Sequence, residues 1–204
     1  MADPKPTNPT WFDGLDYNFK NVAQEPGVDT AQFIRASRSL VTLFDLLGPT
    51  AFGTVISDMN GNIKKLNDRF TAAPDKSATL QTLVLEEHKE LGKKANATEG
   101  LLWLFRGFEF TARALRHNIA NPNEELATSF QESYNGTLKQ HHNFVVKGLF
   151  SVALKATPYR NDFYAKLGDD KGRVNDQSIE WLSALEAITK TMQALYGENK
   201  NFGF

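Results

Sequence analysis

The sequence predicts a single all-α domain of about seven helices, and three observations support this fold class. Apolar residues recur at intervals of three and four over most of the chain, the spacing of an amphipathic helix. These segments are separated by helix-breaking pairs such as Gly48-Pro49 and Asn121-Pro122. No segment alternates apolar and polar residues between hairpin turns, as a half-buried strand would.

The chain is expected to divide into an N-terminal arm, residues 1–28, and one domain, residues 29–204. The arm begins with a polar segment that contains three prolines. We expect it to be loose, apart from a short amphipathic piece at Trp11-Phe12-Asp13-Gly14-Leu15.

The first half of the domain predicts three helices. Asp29 can cap the first, because its side chain can accept a hydrogen bond from the helix N-terminus. Gly48-Pro49-Thr50 ends that helix and begins the second. The predicted ranges are 30–47, 50–72 and 78–91.

The second half predicts four more helices. Thr98 is expected to cap a helix that is apolar nearly all round and therefore central. Gly136 and Gly148 weaken a long helix that follows, so a bend or break within it is plausible. A solvated loop at 168–172 precedes the last helix. The predicted ranges are 101–119, 124–155, 162–167 and 178–196.

Composition excludes several classes of protein. The chain has 204 residues, 41% of them hydrophobic, which is enough for a substantial core. The net charge of −1 gives no support for broad binding to nucleic acid. The absence of cysteine fits a cytosolic protein, and neither a signal peptide nor an apolar run of about 20 residues is present. The 15 phenylalanines predict a wide aromatic interior.

The predicted second helix carries a polar face. Asp58, Asn62 and Lys65 are spaced i, i+4 and i+7, so they lie about one turn apart on the same side. They supply an acceptor, a two-way amide and a donor, which suits a sugar or an amide-linked lipid. The alternative is a solvated face with a weak ion pair between Asp58 and Lys65.

Signatures of catalysis and metal binding are absent from the sequence. It contains neither a phosphate-binding GxxxxGK[ST] loop nor a GxSxG nucleophile motif. The segment beginning at Asp58 fails as a calcium loop, because its glycine comes early and its twelfth residue is Arg69. Adjacent helical histidines, His141 and His142, point about 100° apart and would chelate one metal poorly. We therefore expect no catalytic residue, no metal and no cofactor.

Five stretches together resemble the glycolipid transfer protein family, most closely its fungal members. They occur in the family's order and spacing from about residue 30 to the C-terminus. The stretches are Leu43-Phe44-Asp45-Leu46-Leu47-Gly48, Asp58-Met59-Asn60-Gly61-Asn62-Ile63-Lys64-Lys65, Gly100-Leu101-Leu102-Trp103-Leu104-Phe105-Arg106-Gly107, His141-His142-Asn143-Phe144-Val145-Val146-Lys147 and Pro158-Tyr159-Arg160-Asn161-Asp162-Phe163.

The resemblance implies a two-layer helical sandwich of seven to eight helices that moves a glycosphingolipid between membranes without cleaving it. It implies that Asp58, Asn62 and Lys65 bind the sugar, with Asp58 also accepting from the ceramide amide. Trp103 would lie under the sugar ring, and His142 would donate to the ceramide carbonyl. A basic residue replaces this tryptophan in the branch that carries ceramide phosphate, so Trp103 favours a simple neutral glycosylceramide.

The resemblance also implies an apolar pocket for the hydrocarbon chains and an aromatic contact with the membrane. Ordinary core packing is the alternative for the pocket residues, as it is for Trp103 and His142. At the position of the family's C-terminal tyrosine the sequence has Phe202, which lacks the hydroxyl. The implied pocket residues are Phe44, Phe52, Val55, Phe110, Leu138, Phe150 and Phe163, and the implied membrane-contact residues are Phe144, Tyr159 and Tyr164.

Two other classes of function remain open from the sequence. A glycolipid sensor or adaptor would need the same pocket but would not transport lipid. A hydrolase would need a second carboxylate or a nucleophile beside Asp58, and no motif supplies one. The primary expectation is a non-enzymatic transfer protein of the cytosol that meets membranes transiently.

Overall fold

The computed structural model describes residues 8–199 and 202. Within these residues the regular structure is helical, and the sole β pairing is an isolated bridge between Asp29 and Thr79. No helix in this part of the chain is long and apolar enough to cross a bilayer. The α-helices are α1 Thr30–Leu47, α2 Pro49–Ala72, α3 Leu80–Leu91, α4 Asn96–Ala120, α5 Leu126–Gly136, α6 Phe144–Lys155, α7 Arg160–Leu167 and α8 Lys171–Glu198. The predicted all-α class is confirmed.

Helix α4 is the centre of the fold, as its apolar sequence predicts. It packs against α2, α3, α5 and α8. Gly107 of α4 is buried, and a Cβ there would lie 3.0 Å from Cε of Met59 on α2. The missing side chain lets the two helices approach closely, which brings the polar face of α2 beside the middle of α4.

The start of α4 differs from the prediction, because Thr98 is not its cap. The helix begins at Asn96, and the carboxylate of Glu87 on α3 is buried against its first turn. Glu87 accepts hydrogen bonds from the backbone N–H of Ala97 (3.1 Å), the backbone N–H of Thr98 (2.7 Å) and the Thr98 hydroxyl (2.7 Å). A negative charge is favourable at a helix N-terminus. Glu87 of the neighbouring helix therefore satisfies the N–H groups that a local capping residue would otherwise satisfy.

The expectation of a loose N-terminal arm is wrong for residues 8–28. Phe12 and Phe19 are buried, and the ring of Phe19 contacts those of Phe33, Phe108 and Trp181. Two short 3₁₀ helices, Trp11–Gly14 and Phe19–Asn21, present these rings to the helical body. Burial of aromatic surface holds this segment in place. Residues 1–7 of the predicted arm lie outside the described residues.

The predicted long helix 124–155 is divided in two. Helix α5 ends at Gly136, a 3₁₀ turn follows at Leu138–His141, and α6 begins after Asn143. The Asn143 side chain caps α6 by accepting from the backbone N–H of Val146 at 3.0 Å. The chain therefore breaks near the first of the two predicted weak points, Gly136, and runs unbroken through the second, Gly148.

The last helix begins earlier than predicted. Asp170 caps α8 by accepting from the backbone N–H of Arg173 at 3.0 Å, so Lys171 and Gly172 are helical rather than part of the preceding loop. Helix α7 also starts earlier, at Arg160. Local capping thus sets boundaries that apolar periodicity alone does not mark.

Candidate functional site

A cavity of about 330 Å³ opens between α2, α4 and the segment that joins α5 to α6. Most of its wall is apolar, and Asp58, His141 and His142 are among its polar lining residues. Cavities of this composition suit an amphiphilic ligand, because the apolar part is buried while the polar part is recognised. The apolar wall includes Val55, Met59, Phe110, Leu138 and Phe150.

The polar face of α2 is a chain of hydrogen bonds. The Asn62 amide donates to the Asp58 carboxylate at 3.2 Å and accepts from the Lys65 ammonium at 3.0 Å. Asn62 is only 3% exposed, whereas Asp58 and Lys65 reach solvent. No direct ion pair joins Asp58 to Lys65 among the described residues; the Asn62 amide links them instead. The second oxygen of Asp58 accepts no hydrogen bond from that same part of the chain and remains available to a ligand.

Asp58 lies at the mouth of the cavity, where it keeps contact with solvent. Burial of part of the carboxyl group nevertheless raises its pKa above the ordinary value, and the nearby Lys65 ammonium partly offsets the rise. The carboxylate is therefore held in a place that disfavours its charge. A ligand that donates hydrogen bonds to it would relieve this cost.

Trp103 of α4 faces the cavity and is half-buried, so the structure does not place it in the closed core. The rings of Trp103 and His142 are nearly parallel, at 19°, with centroids 6.1 Å apart. His141 approaches the indole edge-on at 6.3 Å, and the Arg106 guanidinium lies 4.8 Å from the indole centroid. Cations favour the face of an indole, so Arg106 helps to fix the plane of Trp103.

His142 lies in the extended link before α6 and lines the cavity. Burial lowers its pKa below the ordinary value, and the charges of His141, Lys147 and Arg106 lower it further. Nδ1 of His142 lies 3.1 Å from the hydroxyl of Tyr134. At neutral pH the imidazole is uncharged, with one donor nitrogen and one acceptor nitrogen.

The structure brings together part of the predicted chain pocket. Val55, Phe110, Leu138 and Phe150 line the cavity. The other three predicted residues are fully buried and do not line it. These are Phe44, Phe52 and Phe163.

The outer face of α6 is exposed and apolar. Phe144 is 90% exposed, and Val145, Leu149 and Val152 continue the same stripe along the helix. Tyr159, in the link between α6 and α7, is 73% exposed. We call these five residues the α6 apolar stripe.

The third predicted membrane-contact residue, Tyr164, is less exposed than Phe144 and Tyr159. It is half-buried, its hydroxyl oxygen is sealed from solvent, and the Arg160 guanidinium lies 4.4 Å from its ring centroid. Only part of its ring is therefore available to a surface.

Phe202 is buried rather than placed at the cavity. Its ring packs on His88 at 4.7 Å and on Tyr196 at 5.4 Å. Tyr196 in turn donates from its hydroxyl to the backbone carbonyl of Thr98 at 2.7 Å. Phe202 is thus held against the α3–α4 junction.

Sequence reasoning missed Tyr134 and Arg106 as parts of the site. Tyr134 precedes His142 by eight residues and is separated from it by a helix break, so no periodic spacing predicts their contact. Arg106 is three residues after Trp103 on α4, and this i, i+3 spacing is a signal that could have found it.

The fold and the site define an all-helical protein with an apolar cavity beneath a hydrogen-bonding rim, as in lipid-binding proteins. The family model described as Glycolipid transfer protein (GLTP) matches residues 28–169. The chain belongs to the glycolipid transfer protein family, which consists of lipid transfer proteins and not of enzymes.

Two curated relatives illustrate the similarity in sequence. The chain is 53% identical over 188 residues to a glycolipid transfer protein of Aureobasidium melanogenum, covering 92% of each chain. It is 35% identical over 202 residues to pleckstrin homology domain-containing family A member 8 of Homo sapiens, covering 92% of this chain and 38% of that longer protein.

Solved structures agree with this assignment. HET-C2, a fungal glycolipid transfer protein, has a TM-score of 0.89 and 46% identity, covering 96% of this chain and all of that one. FAPP2, described as selecting simple glycosphingolipids using the GLTP fold, has a TM-score of 0.84 and 32% identity, covering 95% of this chain and 97% of that one. Mouse ceramide-1-phosphate transfer protein, at 22% identity and a TM-score of 0.82, shares the fold. The predicted two-layer sandwich is therefore confirmed.

Proposed function

We propose that the protein binds one glycosphingolipid at a time and carries it between membranes without changing it chemically. One observation carries the proposal: Asp58, which is linked through Asn62 to Lys65 by hydrogen bonds, lines an apolar cavity together with Trp103 and His142. Relatives named as glycolipid transfer proteins support it.

The polar rim supplies the headgroup specificity in this proposal. Asp58 accepts hydrogen bonds from sugar hydroxyls and from the ceramide N–H, while Asn62 and Lys65 bond other oxygens of the sugar. Trp103 offers its face to the apolar side of the sugar ring, and His142 donates to the ceramide carbonyl. Hydrogen bonds to a charged group are worth roughly 1.5–3 kcal/mol each, so a lipid without hydroxyl donors loses affinity.

The apolar cavity supplies most of the affinity. A ceramide has about 30 methylenes, each worth about 0.8 kcal/mol when buried. Val55, Phe110, Leu138 and Phe150 line the cavity and would contact the chains directly. Phe44, Phe52 and Phe163 are buried behind this lining, so they would contact the chains only where the walls move apart.

The α6 apolar stripe is the proposed contact with the membrane surface. A contiguous apolar patch on a folded protein marks an interaction surface, and aromatic side chains suit the membrane interface. Lys147 and Arg160 would meet lipid phosphates, and the exposed part of the Tyr164 ring would add to the contact. Phe144 lacks an indole N–H, which favours weak, reversible docking. We place this activity in the cytosol, with transient visits to membranes and no nucleic-acid partner.

The Asp58→Val variant tests the proposal. It should abolish transfer of fluorescent galactosylceramide between vesicle populations while the fold is retained. Asp68→Val is the matched control, because Asp68 lies on the same helix, pairs with Lys64 on the surface and does not line the cavity. Unchanged transfer by Asp58→Val would defeat the assignment. Binding without transfer at catalytic amounts of the unmodified protein would instead favour a sensor or adaptor.

The Phe144→Ser variant tests the membrane contact separately. It should lose co-sedimentation with vesicles, because it removes the most exposed aromatic side chain of the α6 apolar stripe. Leu91→Ser is the control, since Leu91 is an exposed apolar residue of α3 outside that stripe. Equal sedimentation of the two variants would contradict docking through α6.

A further inference from the structure

The hydroxyl of Tyr134 is aimed at the imidazole of His142, with Oη and Nδ1 3.1 Å apart. Tyr134 belongs to α5 and is buried. Its ring stacks on Phe150 of α6, with centroids 4.9 Å apart and planes 11° apart, and meets Phe110 of α4 nearly at right angles. The two phenylalanines prevent the phenol from swinging away, so packing fixes the position of its hydroxyl oxygen.

The protonation states of Tyr134 and His142 decide which of the two groups donates the hydrogen bond. Burial raises the pKa of Tyr134, so the phenol keeps its proton at neutral pH. The imidazole is uncharged there, because burial and nearby cations lower the pKa of His142. No other hydrogen bond to the Tyr134 hydroxyl exists within the described residues. A proton on Nδ1 of His142 would therefore leave the buried phenol proton without an acceptor, which is costly.

We propose that Tyr134 is a positioning residue that holds His142 as the Nε2–H tautomer and directs that N–H into the cavity. Because Nδ1 is occupied by Tyr134, Nε2 is the nitrogen left to the ligand. The inference rests on the proposed function in one respect: the acceptor for this N–H is the acyl carbonyl of the ceramide amide. The opposite tautomer would present a lone pair to that carbonyl and repel it. Tyr134 thereby prepares the site to bind the acyl carbonyl of the lipid.

The tautomer can be measured without any lipid. In ¹⁵N-histidine-labelled protein at neutral pH, His142 should show a protonated Nε2 and an unprotonated Nδ1, with the signals assigned by their loss in His142→Gln. Tyr134→Phe should raise the fraction with protonated Nδ1 by about three- to tenfold, the worth of one neutral hydrogen bond. Tyr17→Phe is the control, because the Tyr17 hydroxyl bonds only the backbone of Asn21 in the described chain. A protonated Nδ1 in the unmodified protein, or an unchanged ratio in Tyr134→Phe, would overturn the inference.

Transfer assays then separate positioning from packing. Tyr134→Phe should slow galactosylceramide transfer about three- to tenfold, with a melting curve close to that of the unmodified protein. In a His142→Gln background the same substitution should have no further effect, because Tyr134 acts through the imidazole. Equal slowing in both backgrounds would mean that Tyr134 acts by packing, and would refute its positioning role. A shifted tautomer ratio with normal transfer in every variant would support the Tyr134 inference and refute the lipid contact proposed for His142.

Discussion

Gly100 lies where α4 approaches the polar side chains of α2 closely. A Cβ placed there would lie 3.1 Å from Cδ of Lys65 and 3.3 Å from Oδ1 of Asn62. The lysine stem can move aside, but Asn62 is buried and bonded on both sides. In Gly100→Ala the Asn62 amide must therefore shift by a few tenths of an ångström, or one of its hydrogen bonds must break.

Two effects of opposite sign follow from Gly100→Ala. Alanine is favoured over glycine inside a helix by about 0.5–1 kcal/mol, which offsets the strain in stability. The helix preference of alanine affects only folding, so it does not improve binding of the headgroup. If the displaced Asn62 amide loses one hydrogen bond to the sugar, the cost is about 0.5–1.5 kcal/mol, or roughly 2- to 13-fold in glycolipid affinity. We therefore expect weaker binding at nearly unchanged stability.

Gly61→Ala provides the matched control, because Gly61 lies on α2 and a Cβ there meets nothing within 4 Å. It should raise Tm by about 1–4 °C and leave binding unchanged. Titration with galactosylceramide, beside ceramide without a sugar, gives the affinities, and thermal unfolding gives the stability. If Gly100→Ala binds galactosylceramide normally and gains the same Tm as Gly61→Ala, the close approach of α4 to Asn62 has no role in the headgroup site.

The site and its supports make three further predictions. Asp58→Asn should raise Tm of the lipid-free protein near pH 7, because the raised pKa of Asp58 means that its charged form destabilises the folded state. This gain should shrink as the pH falls towards about 4, where Asp58 becomes protonated in the folded and the unfolded protein alike. Glu87→Gln should lower the free energy of unfolding in urea by roughly 2–4 kcal/mol, because one donor of α4 loses its acceptor inside the protein. Acidification through pH 6.5 should destabilise the fold, because the pKa values of His141 and His142 are lowered and the unfolded chain takes up protons first. Replacing both histidines with glutamine should reduce this loss in pH-dependent melting curves.

For each of these three predictions, one result would contradict the reasoning. A lower Tm of Asp58→Asn at pH 7 would mean that the carboxylate stabilises the empty site. Glu180→Gln, which alters an exposed pair with Lys20, should cost under about 0.5 kcal/mol, and an equal cost for Glu87→Gln would deny the buried role of Glu87. Identical acid sensitivity of the histidine double variant would remove His141 and His142 from the explanation.

Periodicity predicted the fold where apolar side chains repeat, and failed where burial depends on distant partners. The range predicted for α2 differs from Pro49–Ala72 by a single residue, because its apolar stripe and its flanking Gly-Pro are local signals. Phe12 and Phe19 lie in 3₁₀ turns without a repeat, so only the tertiary structure shows that they are buried. Glu87 meets the start of α4 across a turn, and no property of Thr98 alone reveals that contact.

In the candidate site, too, local spacing could be predicted from the sequence, whereas contacts between distant segments could not. The spacing of Asp58, Asn62 and Lys65 predicts a shared face, and the structure adds that Asn62 bonds both of its neighbours. The resemblance to a family predicted Trp103 and His142, which chain periodicity cannot separate from core residues. Their parallel rings arise from the break that follows α5, a feature of backbone geometry that the glycine pattern indicates only as a possibility.

The most direct measurement of the central claim is a crystal structure of the protein with galactosylceramide bound. The account predicts a sugar ring lying on the indole of Trp103, hydroxyl groups bonded to Asp58, and hydrocarbon chains within the cavity next to Phe110 and Leu138. A sugar bound away from Trp103 and Asp58, or chains lying only on the outer surface of α6, would contradict it.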